Sequence, residues 1–336
     1  MRALTLGVAV EKLRLAAPFR ISGFVFEEQE VIVVTLGDGE HSGRGEASGV
    51  YYLNDSAPAM EAAIEGARSA IEAGIDRAAL QSLLPPGGAR NAVDCALWEL
   101  DARRAGVPVW KLAELPPPKP LVTTFTLGAD DPAAMASGAR KFAQARSLKL
   151  KLTGDLALDS ARVRTVRAAR PDVWMGVDAN QGYSIEALDS LIDMLIDADV
   201  ALLEQPLRRG READLAGYQS RIPIAADESA LSLVDLAGLK GRFDMVNIKL
   251  DKCGGLTEGL EMARAARRLG LKVMVGNMVG TSLAMAPAFV VGQLCDVVDL
   301  DGPIFLAQDR TPSMTYVNGA AWCGDDVWGA THAVPA

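Results

Sequence analysis

The sequence predicts an α/β protein, a modified (β/α)7β barrel of TIM type joined to an α+β capping domain, and three observations carry that expectation. From about residue 121 onward, short apolar runs alternate with helical stretches of ten or more residues. Just ahead of that alternation stands Leu115-Pro116-Pro117-Pro118-Lys119-Pro120, a stiff proline-rich connector and the best boundary in the chain. Before the connector the pattern is different, with strands and turns first and alanine-rich helical periodicity after them.

Taken in order, residues 1 to about 55 contain the β-branched run Val31-Ile32-Val33-Val34 and, after it, the turn Gly37-Asp38-Gly39. Ala57 to Ile75 and Gly88 to Ala105 repeat with a helical period, and Val93, Ala96, Leu97 and Leu100 fall on one face of the second helix. Beyond the connector, apolar runs lie near 121–127, 147–152, 173–178, 200–204, 223–227, 244–249, 272–276 and 296–300. Eight strands with seven helices between them imply parallel pairing through right-handed crossovers. Eight repeats in about 180 residues fit a closed barrel better than an open sheet. The expected units are therefore 1–118 for the cap, 119–303 for the barrel, and 304–336 for a tail that returns to the cap.

Bulk properties narrow the function. A net charge of −9 argues against nucleic acid as a partner, because phosphate binding needs a basic surface. With no long apolar run and no basic-then-apolar leader at the N-terminus, neither membrane nor export is expected, and the cytoplasm is. Cys95, Cys253, Cys295 and Cys323 are far apart and read as free thiols of a reducing compartment. Only His41 and His332 could serve a histidine-based site, and neither has a catalytic context, so the base is expected to be Lys, Asp or Glu.

The strand ends carry the chemistry. Lys149 and Lys151 close strand two, Asp178 strand three, Glu204 strand four, Asp227 strand five, Lys249 strand six, and Asp299 with Asp301 strand eight. Steps of 27, 26, 23 and 22 residues from Lys151 through Asp178, Glu204 and Asp227 to Lys249 each span one βα unit. All of these groups therefore belong on the C-terminal rim, where barrel enzymes hold their sites. Three converging carboxylates would repel without a cation, and an all-oxygen set suits Mg²⁺. Lys151 and Lys249 fall opposite one another in an eight-stranded ring. Lys149 and Lys151 share parity, so like charge is expected to lower a lysine pKa toward a working base. One lysine removing a proton next to a carboxylate and the other returning it would invert a stereocentre, with Mg²⁺ stabilising the enediolate.

On these residues the chain resembles the enolase superfamily, in its muconate-lactonizing-enzyme-like branch, over its whole length. Phe19-Arg20-Ile21, Gly45-Glu46-Ala47 and the stretch from Ala89 to Leu100 are similar to that family's capping elements. The run Val246-Asn247-Ile248-Lys249-Leu250-Asp251-Lys252, then Gly254-Gly255-Leu256-Thr257-Glu258, and Asp299-Leu300-Asp301-Gly302-Pro303 look most like dipeptide epimerases, in particular L-Ala-D/L-Glu epimerases. The resemblance implies that Asp178, Glu204 and Asp227 bind Mg²⁺ and that Lys151 and Lys249 are the acid and base. It places Lys149 and Thr126 near the substrate carboxylate, and Asp299 and Asp301 at the ammonium of a dipeptide. The cap departs from the Ala-Glu pattern: Gly23-Phe24 stands where an arginine is usual, and Ser48-Gly49-Val50-Tyr51-Tyr52-Leu53 lacks Pro and Arg. Arg20 is the residue that could compensate as a substrate contact.

The same lysines serve N-acylamino-acid racemases and o-succinylbenzoate synthase or cycloisomerase relatives, so the substrate is a dipeptide or an N-acyl amino acid. A class I aldolase would need neither the triad nor the paired lysines. A non-catalytic metal- or ligand-binding protein on the same fold is the reading from another class. A homo-oligomer stays open.

Overall fold

In a computed structural model the described residues are 3–21 and 24–330, without the side chains of residues 19–21 and 24. The chain opens with an antiparallel sheet of β1 (Thr5–Ile21), β2 (Phe24–Gly37) and β3 (Ser42–Ala47), in that order. In β2 the buried Ile32, Val34 and Leu36 alternate with their neighbours, the period of a strand with one face on a core. The Gly37–Gly39 turn forms as expected, and Asp38 Oδ1 closes it by accepting from His41 N at 2.8 Å.

Three helices cover that sheet: α1 (Ala57–Glu72), α2 (Arg77–Leu83) and α3 (Gly88–Ala105). In α1, Ser56 caps the N-terminus, and Met60, Ile64, Ala67 and Ile71 form its buried stripe. Nearly all of α3 is buried, because it lies between the sheet and the barrel. The sheet approaches α3 closely at Gly45, where a Cβ would fall 2.0 Å from the Ala92 carbonyl oxygen. A short α4 (Val109–Leu112) leads into the proline-rich connector.

The chain then alternates. β4 (Leu121–Val122) and β5 (Phe125–Leu127) precede α5 (Pro132–Lys141), β6 (Ser147–Lys151), α6 (Leu156–Ala169), β7 (Trp174–Asp178), α7 (Ile185–Asp197), β8 (Leu202–Glu204) and β9 (Ile224–Ala226). There follow α8 (Leu236–Leu239), β10 (Met245–Ile248), α9 (Leu250–Cys253), α10 (Leu256–Leu269), β11 (Lys272–Val275), α11 (Ser282–Gly292) and β12 (Val297–Val298). Strands β5 to β12 form one parallel sheet in sequential order, as the alternation requires. The sheet curls until Thr124 N donates to Val298 O at 2.9 Å, which joins its two ends.

Two crossovers differ from expectation. Between β8 and β9 the long helix is replaced by a 3₁₀ turn at Glu212–Leu215, and between β9 and β10 by a second 3₁₀ turn and the single-turn α8. Gly210 and Gly217, both at positive φ, bracket the first, and Gly241 follows α8, so local backbone preference stops each helix early.

Past the barrel, β13 (Thr315–Val317) pairs with β14 (Ala320–Trp322), which pairs in turn with β4. The same segment reaches the N-terminal sheet: Arg310 pairs with Glu46 and Glu11, and Trp328 Nε1 donates to Arg44 O. His332 lies outside the described residues. Among the described residues, no helix is long and apolar enough to cross a membrane.

Candidate active site

The C-terminal ends of β6 through β10 converge as their spacing predicts. Asp178, Glu204 and Asp227 each place a carboxylate oxygen within 4.8 Å of the others, and all three are buried. Each is held the same way. One oxygen rests on a fixed donor of the fold: Asn180 N on Asp178 Oδ1 (2.9 Å), Asn247 Nδ2 on Glu204 Oε1 (2.8 Å), and Lys252 Nζ on Asp227 Oδ1 (2.6 Å). The other oxygen meets a lysine: Lys151 at Asp178 Oδ2 (2.6 Å), Lys149 at Glu204 Oε2 (2.8 Å), and Lys249 at Asp227 Oδ2 (2.6 Å). Lys149 also reaches Asp178 at 3.5 Å, which the shared parity of Lys149 and Lys151 on β6 allows.

The backbone around the triad is over-determined. Asn180 and Gln181, two and three residues past Asp178, and Gln205, directly after Glu204, sit at positive φ. Gln205 Oε1 accepts from Asp227 N and Ser229 N, while its Nε2 donates to Leu207 O and Ser229 Oγ, so β8 sets the position of the residues that end β9.

Electrostatics corrects one expectation. Burial depresses the ammonium groups, but Asp299, Glu204 and Asp178 hold Lys149 well above its ordinary value. Against the same burial effect, Asp227 holds Lys249 above its own. Like charge does act in the expected direction, since Lys149 lowers Lys249, but nearby carboxylates outweigh it. Burial raises Asp178 and Asp227, yet Lys151 keeps the first below the usual carboxylate range and Lys249 with Lys252 keeps the second well below it. Burial and then Asp178 push Glu204 up to about 7.

Asp299 and Asp301 are also buried. Asp299 pairs with Lys149 at 2.9 Å and accepts from Thr124, and Asp301 accepts from Thr126 N at 2.6 Å. Burial and then the neighbouring Asp299 push Asp301 up to about 7.

An open cavity of about 590 Å³ faces this cluster. Lys151 and Lys249 both line it, from strands four places apart in an order of eight. Phe26, Tyr51, Tyr52 and Met278 line it as well, whereas Lys149, Thr126, Asp299 and Asp301 are not on the lining. Arg20 is paired with Val25 along the backbone, and its side chain lies outside the described residues.

Sequence reasoning missed four residues here. Asn247 and Lys252 stand in the sequence only as part of a motif, and nothing there singles out Glu228 or Gln205. Lys252 had one available signal, its position three residues beyond Lys249, where one helical turn brings it back to the strand end.

Known proteins match this architecture throughout. The family model described as mandelate racemase / muconate lactonizing enzyme, N-terminal domain, matches residues 3–113, and the enolase C-terminal domain-like model matches residues 133–320. The L-Ala-D/L-Glu epimerase of Escherichia coli is 39% identical over 315 residues, 94% of this chain and 98% of that protein. The crystal structure of an enolase family member from Agrobacterium tumefaciens with homology to dipeptide epimerases, with bound sodium and L-Ala-L-Glu, is 40% identical. It superposes with a TM-score of 0.93 over 97% of this chain and 100% of the other. A dipeptide epimerase from Methylococcus capsulatus complexed with Mg and L-Arg-D-Lys is 28% identical, with a TM-score of 0.89 over 96% and 97% of the two chains. This chain belongs to the mandelate racemase / muconate lactonizing enzyme family of the enolase superfamily.

Proposed function

We propose that the protein is a magnesium-dependent dipeptide epimerase of the kind found among the L-Ala-D/L-Glu epimerases, moving a proton at the α-carbon of the C-terminal residue through an enediolate. One observation carries this reading: Lys151 and Lys249 face the same cavity from opposite strands, with the three-carboxylate cluster on the arc between them.

The residues fit the metal. Three buried carboxylates, each with one oxygen pinned by the fold, present hard oxygen donors at one point, the chemistry Mg²⁺ prefers. Asp178, Glu204 and Asp227 would hold it, and when bound it supplies positive charge against the negative charge that develops on the substrate carboxylate. The chain's own residues do the rest. With Asp178 and Asp227 engaged by the cation instead of by Lys151 and Lys249, one lysine would be freed to lose its proton and take the α-proton, and the ammonium of the other would deliver a proton to the opposite face, so one proton leaves and one arrives. In the reverse direction the two exchange roles. Lys149, with Thr126 behind it, supplies charge for the substrate carboxylate, and Arg20 is a further candidate contact. The same reading divides the chain at 1–118, 119–303 and 304–336; one apolar cluster lies wholly within the N-terminal unit, while that of the barrel also takes in Cys95, Trp98 and Ala102 from α3 and Met314 and Trp328 from the tail.

Asp299 and Asp301 are proposed to receive the dipeptide ammonium. Their engagement with Lys149 and the threonines favours one second reading, an N-acylamino-acid racemase, in which no ammonium has to be bound. Exchange of the α-proton in D₂O, followed by NMR over dipeptides and N-acyl amino acids, separates the two. Faster exchange for dipeptides supports the epimerase, faster exchange for N-acyl substrates supports the racemase, and no exchange with either contradicts both.

A further inference from the structure

Part of the cavity wall belongs to the cap, and its chemistry differs from that of the triad side. Phe26 and Tyr51 meet edge to face at 5.7 Å between centroids, and Tyr51 and Tyr52 at 5.2 Å, so three rings form a continuous aromatic surface. Met278 and Val279 extend it from the β11–α11 loop. Gln29, uncharged, stands at its rim.

Acidic residues outnumber basic ones among the described residues around this wall. Among the described residues lining the cavity, the only cations are Lys151 and Lys249, and each already rests on a triad carboxylate. Glu228, 3% exposed, lines the same space with a buried Oε2 that has no hydrogen-bond partner. A second, adjoining cavity shares Phe26, Gln29, Tyr51 and Met278 with the first and carries Glu28, Glu30 and Asp55 on its walls. Lys12 pairs with Glu28 and Glu30 but is not on the lining of either cavity.

A substrate whose α-carbon sat between Lys151 and Lys249 would have its side chain in the same cavity as this wall. An anionic side chain would enter a space flanked by carboxylates and lose hydration against aromatic rings, with no cation among the described lining residues left to meet it. A large uncharged side chain would gain contact with three rings and a thioether and leave no charge unpaired. We infer that the residue this enzyme epimerises carries a large apolar or aromatic side chain, held against Phe26, Tyr51, Tyr52 and Met278, in preference to glutamate. This inference rests on the epimerase reading above.

Steady-state epimerisation of L-Ala-L-Phe, L-Ala-L-Leu and L-Ala-L-Glu by the wild-type, Mg²⁺-loaded protein tests it. The expected result is a kcat/KM for the Phe and Leu dipeptides at least about tenfold above that for L-Ala-L-Glu, the order a single apolar pocket can discriminate. Equal turnover, or a preference for L-Ala-L-Glu, overturns the inference and leaves the epimerase reading standing, whichever cation accounts for it. Exchange with none of the three removes the epimerase reading and this inference with it. Tyr51→Ala adds a second readout. It is expected to raise KM about tenfold more for L-Ala-L-Phe than for L-Ala-L-Ala. An equal loss for both substrates would mean that Tyr51 only supports the fold, and would count against the aromatic wall.

Discussion

Asp178 and Asp227 are each shared between a donor of the frame and a lysine on the cavity lining, whereas Glu204 meets the buried Lys149. Asn180 N, Asn247 and Lys252 are parts of the frame, whereas Lys151 and Lys249 line the open cavity. Asp178→Asn, Glu204→Gln or Asp227→Asn would replace an anionic oxygen with an amide that cannot ligate equally well. Each is expected to weaken Mg²⁺ binding in a calorimetric titration and to remove most of the turnover, and unaltered Mg²⁺ affinity in all three would place the metal elsewhere. Asp299 allows a second prediction. Its carboxylate faces Lys149 at 2.9 Å, and Asp299→Asn is expected to lower kcat/KM for dipeptides on the order of 10²-fold. N-acetylated substrates should lose much less, and equal losses would assign Asp299 to holding Lys149 alone. The positions of the triad and of the paired lysines were legible in the sequence, because strand-end spacing fixes them. The direction of the lysine pKa shifts was not, because it depends on distances to Asp227 and Asp299 that only the fold supplies.

At the scale of elements, the cap is fastened to the barrel by buried polar groups on α3 and α9. Asp251, on α9, accepts from Ser48 N at 2.9 Å and so holds the start of the loop that carries Tyr51 and Tyr52. Arg90, on α3, donates to Cys253 O at 2.6 Å and pairs with Glu258. At Gly255 (φ 117°) any side chain would collide with Asp94, which explains the paired glycines between α9 and α10. Burial, partly offset by the Ser48 amide, pushes Asp251 up to about 6 from its ordinary 3.8. The folded state therefore binds this proton more tightly than the unfolded chain. Between about pH 4 and 6 the unfolded state carries fewer protons here, so stability falls as pH rises through that window and levels off above it. Asp251→Asn cannot ionise, so its melting temperature relative to wild type should climb from pH 4 to 6 and then stay constant. A difference independent of pH would mean that the carboxyl titrates normally. The helix of α3 was legible from its periodicity, but its burial on every side was not, since Arg90, Asn91, Asp94 and Glu99 are residues that usually face water. The two shortened crossovers escaped for the opposite reason: their apolar residues suit a helix, and single glycines decide that none extends.

For the whole molecule, barrel and cap together make the cavity. The barrel contributes Lys151, Asp227 and Lys249 to its lining, and the cap contributes Phe26, Tyr51 and Tyr52. Strand alternation made the barrel legible. The shape of the cavity was not, because it depends on how residues more than a hundred positions apart meet, as Ser48 and Asp251 do. The central claim, that two lysines work on opposite faces of one α-carbon, is tested most directly by single-lysine variants in D₂O. Lys151→Ala and Lys249→Ala are each expected to abolish epimerisation in both directions, since inversion needs both groups. Each should retain slow exchange of the α-proton with solvent deuterium for one enantiomer only, a different one in each variant, at a rate reduced by about 10²–10⁴-fold. If both variants exchange the same enantiomer, or if Lys249→Ala epimerises at the wild-type rate, the two-base account is contradicted.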